Sequence, residues 1–283
     1  MDGLLVINKP SGITSRDVVN QVSRTLKISK IGHTGTLDPL ATGVLVLCLG
    51  KATKLVELIT SETKEYIASF KLGTETDTLD ITGKVIANND FKPSFEQLNN
   101  CLNGFIGDYW QEVPKYSAVK INGQKLYEYA RQNIEIELPK RLVTIKELEL
   151  IDYHDDIVTF KTTVSKGTYI RSLIRDICKS LNTLGSMATL IRTKQGAYSI
   201  DQSYSLEDIE SNTYQIITIE EALTKYEQVE VTAEQMAKIK NGSILERFFR
   251  DEKCVITYNN NIVAIYQTYA KDKTKVKPYQ MFI

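Results

Sequence analysis

The sequence predicts an α+β fold in which helices flank a mixed, mostly antiparallel central sheet, with a small β-rich domain at the C-terminal end. Strand-like and helix-like segments alternate over the first 222 residues without the regular strand–helix–strand rhythm of a parallel sheet. After that point short apolar runs flank an Asn-rich turn, as in a hairpin. We therefore expect a main domain over residues 1–222 and a small domain over 223–283.

The first elements are delimited by local signals. Gly3 to Asn8 is short and apolar, which predicts a buried strand, and Lys9-Pro10-Ser11-Gly12 ends it. Thr14 is a suitable helix N-cap, because apolar residues follow it at helical spacing. Three more elements are predicted in order: a strand at Val44–Leu49, a short helix at Lys54–Ile59 and an alternating strand at Tyr66–Leu72.

The remaining elements combine helices with hairpins. Ser94 caps a helix that extends to about Asn103, and residues 123–133 are predicted to be helical within a polar, basic stretch. An acidic turn, Asp152 to Asp156, joins two strands. The later predictions are strands 142–151 and 157–165, helix 169–181, a helix capped by Thr232 that ends at Asn241-Gly242, and strands 254–258 and 262–266 around the turn 259–261.

The formal net charge is zero, but the charges are unevenly distributed. Residues 1–54 and 115–146 each contain seven Lys or Arg against three acidic residues, and residues 161–194 contain seven against one. Basic segments separated by acidic ones can fold together into one positive face, which would suit a nucleic acid. Solvated surfaces also produce such blocks by chance, so charge alone leaves the partner open.

Composition limits the other classes of protein. No apolar run approaches the roughly 20 residues of a membrane span, and the N-terminus does not resemble a signal peptide. The four cysteines are scattered without a CxxC pair, and there are only two histidines. We therefore predict a cytoplasmic protein with reduced cysteines and no metal.

The densest motif is the loop Gly32 to Gly43, with the sequence GHTGTLDPLATG. Its glycines and proline indicate a tightly specified turn, and Pro39 biases the backbone of Asp38 toward extended dihedrals. Taken alone, the aspartate could serve only the turn. The loop lacks both GxGxxG and GxxxxGK[ST], which argues against a phosphate cradle.

This loop resembles the signature loop of the TruB family of pseudouridine synthases, and further motifs resemble the family in the same order. These are residues 8–15 (NKPSGITS), 72–78 (LGTETDT), 113–120 (VPKYSAVK), 125–131 (KLYEYAR) and 165–173 (SKGTYIRSL). The likeness extends from residue 3 to about residue 200. The C-terminal part is more loosely similar to a PUA-like RNA-binding domain.

The resemblance implies the pseudouridine synthase fold and an enzyme that isomerises uridine in the T loop of tRNA, at position 55. It also implies that residues 113–140, approximately, are an RNA-gripping insertion. The partner would be the T arm of tRNA, and we assume a monomer. Isomerisation breaks a C–N bond and forms a C–C bond between the same fragments, so we expect no cofactor. Extruding the target base costs a few kcal/mol, which stacking and phosphate contacts offset.

The resemblance also assigns catalytic roles. Asp38 would be the nucleophile or base at the target nucleotide, and Arg171 its ion-pair partner, since a guanidinium can bond both oxygens of a carboxylate. Tyr66 would stack on the flipped uracil and help to remove the C5 proton. Without the resemblance, the alternation around Tyr66 would indicate only a core aromatic residue.

Four further residues are implied to bind the substrate. Tyr169 and Leu190 match walls of the uracil pocket, where an aromatic ring and an aliphatic side chain can sandwich a base. His33 matches a histidine that holds the flipped nucleotide. Lys9 follows the first strand and is included as a binding residue, although a surface lysine is the simpler interpretation.

Three alternatives remain open at this stage. The chain could be an RNA-guided or rRNA-directed relative with the same active site. It could be a non-catalytic binder or a tRNA-folding chaperone that keeps the pocket as a platform. It could also be a hydrolase in which Asp38 works with Asp77 or Asp80 as a carboxylate pair.

Overall fold

The computed structural model describes every residue from Met1 to Ile283. The strands are β1 Gly3–Lys9, β2 Ile31–His33, β3 Thr42–Leu49, β4 Lys64–Leu72, β5 Thr74–Thr76, β6 Val85–Asn88, β7 Gly107–Glu112, β8 Lys120–Ile121, β9 Gln124–Lys125, β10 Lys140–His154, β11 Ile157–Val164, β12 Gly185–Gln195, β13 Tyr198–Ser199, β14 Glu227–Glu230, β15 Leu245–Glu246, β16 Lys253–Tyr258, β17 Asn261–Thr268 and β18 Lys275–Met281. The α-helices are α1 Ser15–Leu26, α2 Val56–Thr60, α3 Phe95–Gly104, α4 Leu126–Arg131, α5 Ile170–Ser180, α6 Leu206–Glu210, α7 Ile219–Ala222 and α8 Ala233–Lys240. Short 3₁₀ segments lie at Gly50–Leu55 and Ile200–Gln202.

A nine-stranded sheet forms the centre of the molecule, with the strand order β1-β3-β12-β4-β11-β10-β7 and with β2 and β13 paired at the side of β3 and β12. Only the β3–β12 pair is parallel; the others are antiparallel. The predicted mixed, mostly antiparallel sheet is therefore confirmed.

The largest core cluster lies between this sheet and helices α3 and α5. Alternate side chains of β4, from Tyr66 to Leu72, face it, as the period-two pattern predicts. Leu173, Ile174 and Ile177 of α5 are fully buried against them. Each such aliphatic side chain stabilises the fold by about 1.5–3 kcal/mol. This packing fixes the start of α5 beside the middle of the sheet, where the site is built.

The single parallel pair brings the Asp38 loop to the same place. Arg192 of β12 lies opposite Gly43 of β3, and a Cβ on Gly43 would lie 2.3 Å from the carbonyl oxygen of Arg192. Gly43 also has a φ of +96°, which L side chains rarely adopt. Since Arg192 pairs with Tyr66 on its other side, the loop that precedes β3 is brought close to Tyr66.

The C-terminal strands β14 to β18 form a separate five-stranded sheet that packs on the rest of the chain. Val255, Ile265 and Phe282 share a core cluster with Leu4 and Val46 of the central sheet. A β-rich C-terminal unit was predicted. The proposed boundary at residue 222 stays a prediction, because Leu223 belongs to the shared core.

Two predicted turns are present as tight hairpins. Asp155 and Asp156 join β10 to β11 with φ values of 48° and 67°. Asn259 and Asn260 join β16 to β17 with φ values of 49° and 63°. Positive φ at both central positions is the geometry that matches the twist of paired strands, and Asp and Asn tolerate it.

The prediction was less accurate where side-chain periodicity is broken. Strand β12 was not predicted, because bulges between Met187 and Thr189 and between Arg192 and Lys194 disrupt its alternation. The helix expected over residues 123–133 is only α4, since Asn122 and Gly123 turn the chain between β8 and β9. None of the helices has the length and apolarity needed to cross a membrane.

Candidate active site

The loop between β2 and β3 is held from both sides, which orients Asp38. The Leu37 amide donates to the Ser15 hydroxyl over 2.9 Å, and the Ala41 amide donates to the Asp38 carbonyl over 3.0 Å. The Pro39 carbonyl accepts from the Gly12 amide at 2.8 Å. Ser15, Gly12 and a hydrogen bond within the loop therefore position a carboxylate that local sequence alone would leave as part of a turn.

Asp38 forms a two-pronged ion pair with Arg171. The Arg171 Nε donates to Asp38 Oδ2 at 2.8 Å, and Nη2 donates to Oδ1 at 3.0 Å. Only 6% of the Arg171 side chain is exposed, against 34% for Asp38. The carboxylate is thus partly open to the cleft, while its counter-charge lies behind it.

The remaining donors of Arg171 connect Asp38 to two other segments. Nη1 donates to the Thr78 carbonyl and Nη2 to the Tyr116 carbonyl, each over 3.0 Å. Tyr116 belongs to the basic segment 115–146. One guanidinium therefore sets the position of the carboxylate and of this segment relative to each other.

Six of the seven predicted site residues line one cleft of about 680 Å³. Asp38 and Arg171 lie in its wall together with His33, Tyr66, Tyr169 and Leu190. Tyr66 is 6% exposed and Leu190 7%, so each presents only a small surface to the cleft. Two aromatic rings and an aliphatic side chain near a carboxylate form a space suited to a flat, uncharged ring.

The cleft is strongly positive. Asp38 is the only acidic residue among those that line it, against the cations Arg16, Lys64, Lys125, Arg131, Lys166, Arg171 and Arg192. Each of the three basic segments of the sequence contributes at least one of them, so these segments do converge. An anionic chain would therefore be attracted to this cleft although the net charge of the protein is zero.

Tyr169 is fixed through its backbone by Gln111 of β7. The Tyr169 amide donates to Gln111 Oε1 at 2.7 Å, and Gln111 Nε2 donates to the Tyr169 carbonyl at 3.1 Å. Gln111 is 1% exposed. Burial raises the pKa of the Tyr169 hydroxyl, which keeps it protonated. Gln111 was not predicted to belong to the site. The only sign of it in the sequence is that a polar residue occupies a buried position of the strand β7.

His33 lies in the cleft as a neutral imidazole with a free ring nitrogen. Its Nδ1 is buried and has no hydrogen-bond partner. Burial, with Arg16 and Arg192 nearby, lowers the pKa of His33. An unpaired buried nitrogen costs free energy, and no group of the protein offsets that cost here.

Lys9 differs from the other predicted site residues, because it does not line the cleft. It is fully buried, and its ammonium donates to the carbonyls of Pro10, Ile13 and Pro39 at 2.8, 2.7 and 3.2 Å. Burial lowers its pKa to about 8. The structure thus places Lys9 underneath the Asp38 loop as a support. The sequence could not show this position, because a lysine after an apolar strand cannot be distinguished by sequence from a surface one.

The two other acidic candidates serve a turn. Asp80 Oδ1 accepts from the Thr78 hydroxyl at 2.9 Å and from the Thr82 amide at 3.0 Å. Asp77 Oδ1 accepts from the Lys84 amide at 2.8 Å. Asp80 borders a smaller cavity next to Asp38, but its oxygen is occupied by these donors. A hydrolytic carboxylate pair with Asp38 is not what these contacts favour.

Comparison with known proteins defines the family. The model of the TruB family pseudouridylate synthase N-terminal domain matches residues 23–170, which is more than half of the chain. The chain belongs to the TruB family. The match includes Asp38 and Tyr66 and ends one residue before Arg171.

Curated relatives of the TruB family cover most of the chain. A protein of Clostridium tetani is 46% identical over 86% of this chain and 85% of its own length. One from Bacillus cytotoxicus is 38% identical over 100% and 98%. One from Fusobacterium nucleatum is 51% identical over 71% and 70%. Each is named tRNA pseudouridine synthase B, and membership of the family makes this chain a pseudouridine synthase, an isomerase.

Solved structures support the TruB fold over the full chain. A Cbf5-Nop10-Gar1 complex matches with a TM-score of 0.73 at 24% identity, over 99% of this chain and 85% of that one. An H/ACA RNP bound to a substrate RNA containing 2′-deoxyuridine matches with a TM-score of 0.71 at 23% identity, over the same shares. At this identity the likeness shows the fold alone, including the C-terminal sheet, which fits the expected PUA-like domain.

Proposed function

We propose that this chain isomerises uridine to pseudouridine in the T loop of tRNA, with Asp38 as the group that starts the reaction. The observation that carries the proposal is the two-pronged Asp38–Arg171 pair in a cleft that is otherwise cationic and contains Tyr66 and Tyr169. The names of the curated relatives support tRNA as the substrate.

Each predicted site residue that lines the cleft can be assigned one part of the reaction. A flipped uridine would place its base between Tyr66, Tyr169 and Leu190, and stacking on an aromatic ring is worth about 1–3 kcal/mol per base. Asp38 would act at the sugar beside this base. The freed uracil would turn within the same pocket and reattach through C5, while the hydroxyl of Tyr66 helps to remove the proton there. His33 would hold the flipped nucleotide from the wall of the cleft.

Two chemical routes fit the position of Asp38. The carboxylate can attack C1′ of the ribose, or it can take the C2′ proton and start an elimination. Uridine deuterated at C2′ distinguishes them, because only the elimination breaks that C–H bond. A primary isotope effect on single-turnover rates would identify the elimination, and its absence would favour attack at C1′.

The rest of the molecule has supporting roles in the same proposal. Residues 113–140 would grip the RNA, since Arg171 already connects Tyr116 to the active site. Residues 223–283 would be a PUA-like RNA-binding domain, and residues 1–222 the catalytic domain. We expect the enzyme to act as a cytoplasmic monomer without metal or cofactor, and light scattering of the purified protein tests the oligomeric state.

The proposal is tested by turnover on a naked T-arm hairpin, without any guide RNA. Release of tritium from a 5-tritiated uridine transcript reports the reaction, and mass spectrometry of nuclease fragments locates the product. We expect one pseudouridine in the loop and none when the target uridine is replaced by cytidine. Turnover only with a guide RNA would favour the RNA-guided alternative, and binding without turnover would favour the chaperone.

A further inference from the structure

Lys64 and Arg192 form a buried pair of cations beside Gly35, in the loop between β2 and β3 that also carries Asp38. Lys64 begins β4 and is 7% exposed, and Arg192 on β12 is 1% exposed; both line the cleft. A Cβ on Gly35 would lie 3.5 Å from Arg192 Nη1 and 3.8 Å from Lys64 Cε. The two side chains therefore lie against the backbone three residues before Asp38.

Neither cation has a carboxylate partner. The Lys64 ammonium donates to the Thr60 and Glu62 carbonyls, each at 2.7 Å. Arg192 donates from Nε to the Val44 carbonyl at 2.6 Å and from Nη2 to the Gly35 carbonyl at 3.0 Å. The carboxylate of Glu62 is paired with Lys225 instead. The pair is held in place by neutral groups, and only the Glu62 carboxylate, without a direct contact, offsets part of its charge.

This arrangement is unfavourable in the free protein. Burial first, and the neighbouring Arg192 second, lower the pKa of Lys64 to about 8. Removing two like charges from water without a counter-ion costs free energy that carbonyl acceptors only partly offset. One ammonium hydrogen of Lys64 and the Nη1 group of Arg192 have no acceptor within the protein. An anion at this point would relieve the repulsion and accept from both.

We propose that Lys64 and Arg192 form a phosphodiester subsite that binds the RNA backbone next to the target nucleotide. The inference rests on the proposed function, since it requires the uridine to lie in the same cleft. The Lys64 ammonium and the Nη1 group of Arg192 both donate to the phosphate. Arg192 also holds the Gly35 carbonyl, so the phosphate is bound by the scaffold that carries the Asp38 loop.

The charges around this point support a phosphate rather than a carboxylate ligand. Lys166 and Arg16 are exposed at the same cleft, and no acidic residue other than Asp38 lines it. A strand of RNA supplies consecutive negative charges that several cations can share, whereas an isolated carboxylate would engage only one pair. Binding the phosphate beside an extruded nucleotide also offsets the cost of extruding it.

The test combines a substrate series with a charge-neutral variant. T-arm hairpins carry one uncharged methylphosphonate at each position around the target uridine, and KM and kcat are measured for the wild-type enzyme and for Lys64→Met. Lys71→Met is the matched control, because Lys71 lies on the same strand and is exposed outside the cleft. Lys64→Arg keeps the charge.

We expect one methylphosphonate position to raise the wild-type KM about tenfold with kcat changed less than threefold. Lys64→Met raises KM similarly on the natural hairpin, shows no further increase with that one modified hairpin, and lowers the salt slope of binding by about 0.7–0.9, as the loss of one phosphate contact predicts. Lys71→Met remains within about threefold of wild type, and Lys64→Arg, which keeps the charge, loses less than Lys64→Met.

The outcomes separate the inference from the proposed function. If every methylphosphonate costs the same in wild type and in Lys64→Met, the subsite does not exist. The methylphosphonate series is also measured on the wild-type enzyme. A folding defect in Lys64→Met therefore cannot hide the absence of a position-specific effect. If the wild-type enzyme does not turn over the natural hairpin at all, the proposed function itself fails.

Discussion

The two sides of the catalytic loop differ in how their charges are compensated. At Asp38 the carboxylate is paired with Arg171 through two hydrogen bonds. Near Gly35 the cations Arg192 and Lys64 are held by carbonyl groups and have no carboxylate partner. A paired charge is fixed in one geometry, which suits a reacting group, whereas an uncompensated charge is available for a ligand. The comparison indicates that chemistry and anchoring are divided across one loop.

Arg171→Lys should break the ion pair with Asp38, and among the residues that support Asp38 it should lower kcat the most. An ammonium cannot replace a two-pronged contact and also reach the Thr78 and Tyr116 carbonyls. We expect kcat to fall by about 10²- to 10³-fold, the scale of a lost catalytic interaction. Single-turnover tritium release measures it.

Arg175→Lys is the matched control for this prediction. Arg175 lies one helical turn further along α5 and pairs with Glu112 and Asp176 outside the cleft. We expect its kcat to stay within about threefold of wild type, because neither Arg175 nor its partners Glu112 and Asp176 line the cleft. Equal losses in both variants would show that the helix, and not the Asp38 pair, is what the substitutions disturb.

Tyr66→Phe sharpens the same comparison within the pocket. The ring is kept, so stacking and KM should change little, whereas loss of the hydroxyl should lower kcat by about 10- to 100-fold if it helps to remove the C5 proton. Tyr66→Leu removes the ring as well and should raise KM about tenfold. Steady-state kinetics of the two variants measure both effects. Unchanged kcat in Tyr66→Phe would leave this tyrosine a stacking role only.

Gln111→Leu tests whether the position of Tyr169 affects catalysis by the Asp38–Arg171 pair. Two buried hydrogen bonds to the Tyr169 backbone would be lost, which should destabilise the protein by about 2 kcal/mol. Because Tyr169 lies two residues before Arg171, we also expect kcat to fall about tenfold. Thermal unfolding and kinetics at a temperature well below the transition separate the effects. A lower melting temperature with normal kcat would make Gln111 purely structural.

The sequence predicted the elements whose side chains keep a regular period and the residues that lie within recognisable motifs. Strands β4 and β11 and helix α5 alternate or repeat cleanly, and they form the sheet and helix that flank the site. Strand β12 was missed because two bulges break its period. The convergence of the basic segments was visible as charge blocks, although only the fold shows that they meet in one cleft.

The residues whose surroundings could not be predicted from the sequence make buried polar contacts. The structure buries the ammonium of Lys9 among three carbonyls, and its expected role in binding substrate stays a prediction. Gln111 and Arg192 have no motif of their own that marks them, since each acts on the backbone of a residue far away in sequence. Such contacts depend on tertiary structure, so periodicity and local spacing cannot predict them.

The most direct test of the account compares Asp38→Asn with the wild-type enzyme in single-turnover tritium release at saturating hairpin, with RNA affinity measured in parallel. The amide keeps the shape of the side chain and removes its charge. We predict that product formation falls by about 10³-fold or more while the dissociation constant changes less than about threefold, because the carboxylate acts in chemistry and the cations bind the RNA. Retained turnover in Asp38→Asn, or a loss explained by weaker binding alone, would contradict the account.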